Sequence, residues 1–260
     1  MKVFILAGGF GTRLSEETML KPKPMVEVGK FPILWHIMKI YSHYGFNDFV
    51  ILGGYKVEYI KNYFLNFYMT NSDLTIDLND NNVSILSKNV APWRVTILDT
   101  GLNTGTGSRI LKAKKFIEGT NEPFFLTYGD GVADVNLKEL LEYHKSQGRI
   151  GTVTAIQPSG RFGTLSFNGN NTVKSFVEKA KGDGNWINGG FFVFEPEFIN
   201  YIPEHDVMLE QDPLINLVRD NQLSAYKHCG FWKAMDTLRD NTELNSMWNN
   251  NQASWKVWSD

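Results

Sequence analysis

The sequence has little cysteine, little net charge and no long apolar run. Cys229 is the only cysteine in 260 residues, which excludes an intramolecular disulfide and a thiolate-rich metal site and favours a reducing compartment. We expect its side chain to be buried as a small apolar group. The formal net charge of -2 gives no long-range attraction to nucleic acid or to an anionic membrane, so neither is expected as a partner. An anion site must therefore be built locally, from a few lysine and arginine side chains.

Targeting and membrane-spanning segments are also lacking. No stretch approaches the roughly 20 apolar residues of a membrane span, and the N-terminal run has neither the cationic flank nor the small-residue cleavage site of a signal peptide. A cytoplasmic protein is therefore expected. Hydrophobic residues make up 42% of the chain, enough for a sizeable core, and we predict a single domain over residues 1–260.

Apolar runs of strand length alternate with segments of helical periodicity along most of the chain. Because these strands are apolar throughout, the pattern predicts an α/β, doubly wound fold with a mainly parallel sheet that is covered on both faces. Pro32 suits the first turn of one helix, and Gly45 suits its end. The predicted strands are 3–7, 48–55, 93–100, 123–131 and 151–156, and the predicted helices are 32–45, 56–68, 108–117 and 136–147.

Two stretches depart from this alternation. Residues 73–88 contain two short polar strands around an Asn-rich turn, which predicts a protruding hairpin that covers a site or binds a neighbour. Residues 161–194 predict an antiparallel segment laid on the end of the parallel sheet, so that the whole sheet is mixed. A helix near 210–220, a strand at 223–229 and a helix at about 237–248 follow.

The predicted sheet also predicts where a ligand binds. Ligands of doubly wound sheets bind at the carboxyl ends of the strands, which directs attention to the loops after them. These loops are 8–13, 53–55, 101–109 and 128–134.

The loop after the first strand is rich in glycine, with Gly8, Gly9 and Gly11 in four positions, so we expect something to approach its backbone closely. A dinucleotide fingerprint is absent, because Leu14 stands where the third glycine is required, and no Gly-Lys-Ser/Thr run of a P-loop follows. What remains is a loop of bare backbone N–H groups that can wrap a triphosphate.

Two cations accompany this loop. Arg13 can fork onto phosphate oxygens, and Lys23 lies between Pro22 and Pro24, which limit its freedom to move. The alternative, a solvent-exposed turn with two surface cations, would not require the glycine cluster.

Motifs spread over the chain resemble those of the sugar-1-phosphate nucleotidylyltransferases. LAGGFGTRLSEETMLKPKPM resembles the family signature, and TYGDG, RFG, VEK, INGGFFVF and MDT are further matches. The resemblance implies a Rossmann-like nucleotidyltransferase fold with a nucleotide-binding part at about 1–135. It also implies a sugar-binding part at about 136–260, with a small antiparallel portion, and a homo-oligomer.

One subgroup of this family is a closer match. Ser15, Glu16 and Glu17 stand where many members have proline, and with PWRVTILDTG, EKAKGDG and GFWKAMDTLRD they resemble the glucose-1-phosphate cytidylyltransferases. The resemblance implies that CTP and glucose 1-phosphate give CDP-glucose and pyrophosphate, for deoxysugars of cell-surface polysaccharide such as lipopolysaccharide O-antigen. Two alternatives stay open: a thymidylyl- or uridylyltransferase, and a catalytically silent relative that binds nucleotide sugar.

The implied reaction needs no protein nucleophile, because the attacking sugar phosphate is already an anion. It needs alignment of two anions and neutralisation of charge, and it therefore predicts Mg2+, which prefers carboxylate and phosphate oxygens. Asp130, after an apolar strand, and Asp236, by resemblance, are the expected ligands. The alternatives are that Asp130 only forms a turn before Gly131 and that Asp236 caps the helix from Thr237.

The resemblance also implies the residues that bind the nucleotide. Lys23 is expected on the nucleotide phosphates and Arg13 on the leaving pyrophosphate, and with Asp130 they form the expected catalytic set. The expected nucleotide-binding residues are Leu6, Ala7, Gly8, Gly9, Phe10, Gly11, Thr12, Arg13, Lys23, Thr104, Arg109 and Gly129.

The second half of the chain supplies the expected sugar-phosphate site. Lys179 is expected on the sugar phosphate, and Glu178 on sugar hydroxyls. Asn188, beside Gly189, offers both a donor and an acceptor, and Gly163 lets the chain pass close to the ring.

A few conspicuous aromatic residues and histidines have no assigned chemistry. His36 and His43 lack neighbouring ligands and are expected at the surface or partly buried. Trp232 is expected either to pack or to line the sugar site, and packing is expected for Trp248, Trp255 and Trp258.

Overall fold

A central mixed sheet organises the fold, and its inner strands are the apolar runs of the sequence. The computed structural model describes residues 1–86, 90–158, 164–177 and 185–259. The strands are β1 (Lys2–Ala7), β2 (Glu27–Val28), β3 (Phe31–Pro32), β4 (Asp48–Gly53), β5 (Leu74–Asp77), β6 (Asn82–Ile85), β7 (Arg94–Asp99), β8 (Phe124–Tyr128), β9 (Gly131–Ala133), β10 (Gly151–Ile156), β11 (Thr164–Phe167), β12 (Val173–Val177), β13 (Ile187–Asn188), β14 (Phe192–Phe194), β15 (Leu223–His228) and β16 (Trp232–Ala234). The helices are α1 (Ser15–Thr18), α2 (Ile33–His43), α3 (Val57–Thr70), α4 (Thr106–Lys112), α5 (Leu137–Gln147), α6 (Asp212–Arg219) and α7 (Leu238–Asn249).

The sheet is parallel on one side and mixed on the other. Strands β7, β4, β1 and β8 pair in that order and run parallel. Beyond β8, strand β14 is antiparallel to both β8 and β10, and β15 runs parallel to β10. The predicted mainly parallel, mixed sheet is therefore confirmed.

Both faces of the sheet are buried, as a doubly wound fold requires. Val3 and Ile5 of β1 contribute to a cluster with α2, α7 and the C-terminal tryptophans, whereas Phe4 and Leu6 contribute to a second cluster with α4 and α6. Because successive side chains of a strand point to opposite faces, an uninterrupted apolar strand serves both clusters.

The segment at 187–194 lies inside the sheet, so its predicted position at the end was wrong. The apolar run is split into β13 and β14, because Gly190 and Phe191 have φ angles of 74° and 46°. Thr154 donates a hydrogen bond to the carbonyl of Phe191 at 2.9 Å and holds this break against β10. The buried β14 then fills the space between β8 and β10.

The predicted hairpin is confirmed as the β5–β6 pair, in which Leu74 lies opposite Ile85 and most side chains are exposed. Residues 87 and 88 of the predicted range lie outside the described residues, as do residues 161–163. A second antiparallel pair, β11 and β12, forms a separate small sheet.

Helix α4 begins at Thr106, two residues before its predicted start. The carbonyl of Val207 accepts hydrogen bonds from the N–H groups of Gly107 and Ser108, at 3.0 and 3.2 Å, and satisfies donors that the first turn of a helix leaves free. The rest of the predicted helix is a separate 3-10 turn at Lys114–Phe116.

Two predictions about single side chains were wrong. Cys229 is exposed, because it lies in the loop that follows the end of β15 at His228 and not in a buried strand. His36 is fully buried: its Nε2 lies 2.9 Å from the carbonyl oxygen of Val28, and its Nδ1 accepts a hydrogen bond from Trp255 Nε1 at 3.3 Å. The predicted packing of the C-terminal tryptophans is confirmed, with Trp255 and Trp258 buried beside His36.

Within the described part of the chain, no helix combines the length and apolar character needed to cross a membrane. The cytoplasmic location stays a prediction.

Candidate active site

A cleft of about 290 Å³ opens at the carboxyl ends of β1 and β8, the edge of the sheet that the sequence indicates. Most of the residues expected to bind nucleotide line it. The lining residues are Leu6, Ala7, Gly8, Gly9, Gly11, Thr12, Arg13, Lys23, Pro24, Thr104, Thr106, Arg109, Tyr128, Gly129, Asp130 and Met208. Phe10 does not line the cleft; the residue is 43% exposed, and the centroid of its ring lies 5.4 Å from that of Tyr55.

The glycines of the first loop serve different purposes. A Cβ at Gly8 would lie 2.3 Å from the guanidinium of Arg109, so glycine at this position leaves room for the Arg109 side chain. Gly11 has a φ of 65°, which favours glycine. No atom lies within 4 Å of the Cβ position of Gly9, so this part of the loop is open to a ligand.

Arg109 is buried, and its guanidinium joins the loop after β1 to the loop after β7. Its Nη2 donates to the carbonyls of Gly8 and Leu102 at 3.0 and 3.2 Å, and its Nη1 donates to Thr100 Oγ1 at 2.6 Å and the carbonyl of Gly101 at 2.7 Å. Burial lowers the pKa of Arg109, although nearby carboxylates act in the opposite direction. Arg109 therefore holds the glycine loop in place through hydrogen bonds to the protein backbone. Its expected contact with the nucleotide stays a prediction.

Lys23 joins two carboxylates that are distant in sequence. Its Nζ lies 2.5 Å from Asp130 Oδ2 and 2.6 Å from Asp236 Oδ1, and Arg13 Nη1 donates to Asp236 Oδ2 at 2.9 Å. The side chain of Lys23 is 11% exposed, whereas Asp130 and Asp236 are 29% and 28% exposed. The four expected charged residues therefore form one cluster at the mouth of the cleft.

The pairing of β9 with β16 brings the two aspartates together. Gly131 pairs with Ala234, and the N–H of Met235 donates to the carbonyl of Asp130 at 2.8 Å. Asp130 precedes β9 and Asp236 follows β16, so this short antiparallel pair places both carboxylates beside Lys23. Strand β16 has only three residues and was not predicted from the sequence.

The cap of helix α7 excludes one alternative for Asp236. Thr237 is the N-cap residue, and its side chain and that of Asp240 form a reciprocal capping box. Burial alone would raise the pKa of Asp240, but hydrogen bonds from Thr237 and Lys233 outweigh it and hold that pKa below its ordinary value. The carboxylate of Asp236 is therefore not the cap, and it remains available to the cluster.

The donor set of this cluster suits a hard cation. Among the residues that the structure describes, no group of three or more His, Cys, Asp and Glu side chains is arranged to hold a metal ion. Asp130 and Asp236 offer only oxygen donors, and magnesium is commonly held by one or two carboxylates together with phosphate oxygens and water. The residues present therefore fit Mg2+ that arrives with a phosphate ligand.

A second polar network adjoins the cleft at Tyr128 and Thr106, and most of it was not predicted from the sequence. The hydroxyl of Tyr128 donates to Glu210 Oε1, Thr106 Oγ1 donates to Glu210 Oε2 at 3.1 Å, and Asn188 Nδ2 donates to the Tyr128 hydroxyl at 3.1 Å. Burial and the Glu210 carboxylate raise the pKa of Tyr128. Tyr128 is part of TYGDG and could have been identified from that motif, but Glu210 has no local signal.

The expected sugar-binding residues are described only in part. Asn188 reaches the rim of the cleft through Tyr128, and its Oδ1 accepts from the N–H of Gly190 at 2.9 Å. Trp232 Nε1 donates to the carbonyl of Gly189 at 2.7 Å, so Trp232 supports this loop. The other expected members, Gly163, Glu178 and Lys179, lie outside the described residues.

The chain is similar to known proteins both in sequence and in fold. Residues 2–253 match the profile of the nucleotidyl transferase family. A glucose-1-phosphate cytidylyltransferase of Salmonella typhimurium is 49% identical over 258 residues, covering 99% of this chain and 100% of that protein. A mannose-1-phosphate guanyltransferase of Aspergillus oryzae is 30% identical over 92% of this chain and 62% of its own length. A solved UDP-glucose pyrophosphorylase, complexed with UDP-glucose, has a TM-score of 0.68 at 17% identity over 96% of this chain and 98% of its own, which is a likeness of fold.

Proposed function

The chain belongs to the nucleotidyl transferase family, and we propose that it transfers the cytidylyl group of CTP to glucose 1-phosphate. The observation that carries the chemistry is the convergence of Lys23, Asp130 and Asp236 beside an open glycine loop. The choice of cytosine and glucose rests on the full-length similarity to the Salmonella enzyme.

The proposed reaction is a direct in-line displacement. A phosphate oxygen of glucose 1-phosphate attacks the α-phosphorus of CTP, the bond from that phosphorus to the bridging oxygen breaks, and pyrophosphate leaves on the opposite side. The products are CDP-glucose and pyrophosphate. The protein contributes alignment and positive charge, and it provides no covalent nucleophile.

We assign the triphosphate to the glycine loop. The open side of Gly9 leaves room for phosphate oxygens to approach the backbone N–H groups from Gly8 to Thr12. The ammonium of Lys23 donates to the phosphates, and the guanidinium of Arg13, which is 71% exposed, binds the leaving pyrophosphate. The nucleoside contacts are assigned to Leu6, Ala7, Phe10, Gly11, Thr104, Arg109 and Gly129.

Asp130 and Asp236 would hold the Mg2+ ion, because two carboxylates complete an oxygen donor set with phosphate and water. When bound, the ion supplies positive charge that offsets the charge of the leaving pyrophosphate. On the sugar side, Asn188 and Gly189 are assigned to glucose hydroxyls. Glu178 and Lys179, with Gly163 beside the ring, keep the roles that the family resemblance implies.

Pyrophosphate release with a panel of nucleotides tests this proposal. Each reaction contains Mg2+, glucose 1-phosphate and one of CTP, UTP, dTTP, ATP or GTP, and a matched reaction omits glucose 1-phosphate. We expect release that depends on glucose 1-phosphate and is fastest with CTP. Preference for UTP or dTTP would support the displacement mechanism but change the assigned base. No release with any nucleotide and any sugar 1-phosphate would favour a catalytically silent relative.

We also propose that the chain forms homo-oligomers through α3 and the β5–β6 hairpin. Leu65 of α3 is 77% exposed, and Leu78 at the hairpin turn is 87% exposed. An apolar groove of about 690 Å³ lies between α3 and β7 and includes Phe64 and Trp93. Exposed apolar surface of this kind is typical of protein–protein contacts.

Light scattering after size-exclusion chromatography tests the assembly. The double variant Leu65→Glu, Leu78→Glu is expected to reduce the particle mass to that of one chain. Leu238→Glu is the matched control, because Leu238 is 45% exposed but lies on α7. A wild-type monomer would contradict the proposal.

A further inference from the structure

The charge cluster of the proposed active site is neutral in the absence of ligands. Lys23 and Arg13 carry two positive charges, and Asp130 and Asp236 carry two negative charges. Both oxygens of Asp236 and one oxygen of Asp130 contact these cations, at distances from 2.5 to 2.9 Å. Because Lys23 is largely buried, its two ion pairs are screened by water less than ordinary surface pairs are.

The ammonium of Lys23 lies in the position that a divalent cation would need. It bridges Asp130 and Asp236, which are the two carboxylates assigned to Mg2+. A metal ion that arrives alone must separate this ammonium from both carboxylates, and it leaves a positive charge without a partner in a largely buried place. Binding of the metal alone is therefore opposed by the protein itself.

A triphosphate removes this opposition. Its oxygens offer Lys23 and Arg13 new anionic partners, so both cations can leave the carboxylates without losing their ion pairs. The backbone of Lys23 is held between Pro22 and Pro24, and a Cβ at Gly11 would lie 3.0 Å from the Lys23 Cβ. The ammonium, at the end of a flexible four-carbon stem, can therefore move while the base of the side chain stays in place.

We propose that Lys23 is an internal placeholder cation that makes metal binding depend on prior or simultaneous binding of the nucleotide. In the free enzyme it holds the two carboxylates at the spacing of a cation site. When nucleotide binds, the ammonium transfers to phosphate and the metal takes its place. The inference rests on the proposed function, since it uses the same metal and nucleotide. By linkage, the metal must strengthen nucleotide binding by the factor by which the nucleotide strengthens metal binding.

Binding of Mn2+ without nucleotide, measured by electron paramagnetic resonance of the free ion, tests the placeholder. Wild-type protein is compared with Lys23→Met and with the control Lys21→Met. Lys21 lies two residues away and pairs with Glu17 and Glu27 at 3.9 and 3.5 Å, outside the cluster. We expect Lys23→Met to bind Mn2+ at least roughly tenfold more tightly than wild type, and Lys21→Met to match wild type.

A variant that leaves Lys23 in place keeps the test decisive if Lys23→Met folds poorly, and a double variant checks that any added Mn2+ binds at the two carboxylates. Arg13→Met removes the more exposed of the two cations and is expected to give a smaller gain in Mn2+ affinity. The double variant Lys23→Met, Asp236→Asn is expected to lose the gain, because one ligand is gone. Wild-type protein that binds Mn2+ alone as tightly as Lys23→Met or Arg13→Met would overturn the proposal.

Equilibrium dialysis of CTP against wild-type protein, with Mg2+ or with EDTA, gives the reciprocal measurement. We expect Mg2+ to strengthen CTP binding by roughly tenfold or more. Equal CTP binding in both conditions would overturn the placeholder and leave the transferase activity untouched. CTP that binds in neither condition would instead overturn the proposed function.

Discussion

The guanidinium of Arg109 lies directly behind Gly8, with Nη2 donating to the Gly8 carbonyl at 3.0 Å. The two residues are 101 positions apart, and their contact joins the loop after β1 to the first turns of α4. Gly54 makes the same kind of contact, because a Cβ there would lie 2.4 Å from Arg109 Nη1. Part of the glycine content around the cleft is therefore explained by an arginine of the protein and not by a ligand.

This relationship predicts different results for two neighbouring glycines. Gly8→Ala places a methyl group 2.3 Å from a guanidinium that several acceptors hold, so we expect a loss of about 2 kcal/mol in the free energy of unfolding. Gly9→Ala has open space around the new methyl group and should change stability by less than about 0.5 kcal/mol. Urea unfolding of both variants measures the difference, and equal stabilities would contradict this account of Gly8.

Gly9→Ala should nevertheless affect nucleotide binding. The proposed triphosphate lies against the open side of Gly9, so the added methyl group is expected to raise the KM for CTP without changing stability. Steady-state kinetics at saturating glucose 1-phosphate measures this effect. An unchanged KM would place the phosphates elsewhere in the cleft.

Lys23→Ala removes the ammonium group that is proposed to donate to the nucleotide phosphates. We expect kcat to fall roughly 100-fold or more, the scale of losing one preorganised group that stabilises charge. Lys21→Ala is the control and should retain wild-type kcat, because Lys21 contacts Glu17 and Glu27 outside the cluster. Near-wild-type turnover of Lys23→Ala would refute the assigned role of Lys23.

Buried His36 predicts loss of stability in mild acid. Burial lowers the pKa of His36 from 6.5 to about 4, against the effect of its hydrogen bond to the Val28 carbonyl. The unfolded chain therefore binds a proton between pH 6.5 and 4 that the folded protein does not bind. The contribution of His36 to the free energy of unfolding is fully present above pH 6.5. We expect the free energy of unfolding to fall by about 3 kcal/mol, through this group, as the pH decreases to 4.

Urea unfolding of wild type and His36→Gln over this pH range isolates the contribution of His36. The variant is expected to be less stable at pH 7 and to lose less of its stability on acidification. His43→Gln is the control, because His43 is exposed on the same helix. A pH dependence that is the same in His36→Gln and wild type would assign the acid sensitivity to other groups.

Thr237 is expected to stabilise helix α7 and, through it, the position of Asp236. Its side chain accepts from the N–H of Asp240 at 3.3 Å, and Thr237→Ala should cost about 1 kcal/mol in the free energy of unfolding. Thr242→Ala, in the same helix but exposed and outside the cap, should cost less than about 0.5 kcal/mol. If both variants lose the same stability, the capping box does not carry the effect.

The sequence by itself determined the alternation of strands and helices and the location of the glycine loop. Hydrophobic periodicity and turn chemistry are properties of neighbouring residues, so the parallel strands, α2, the β5–β6 hairpin and the exposed carboxyl edge of the sheet could all be predicted. The same is true of Lys23 between its prolines and of Asp130 after an apolar strand. The resemblance to a known family added Asp236, which no local pattern indicated.

Only the tertiary structure decided which distant residues meet. The β9–β16 pair brings Asp236 to Asp130, and the buried Arg109 donates a hydrogen bond to the carbonyl of Gly8. The insertion of β14 between β8 and β10, the burial of His36 and the exposure of Cys229 were decided in the same way. Each depends on contacts between segments far apart in sequence, where packing of the whole chain outweighs the preference of any short stretch.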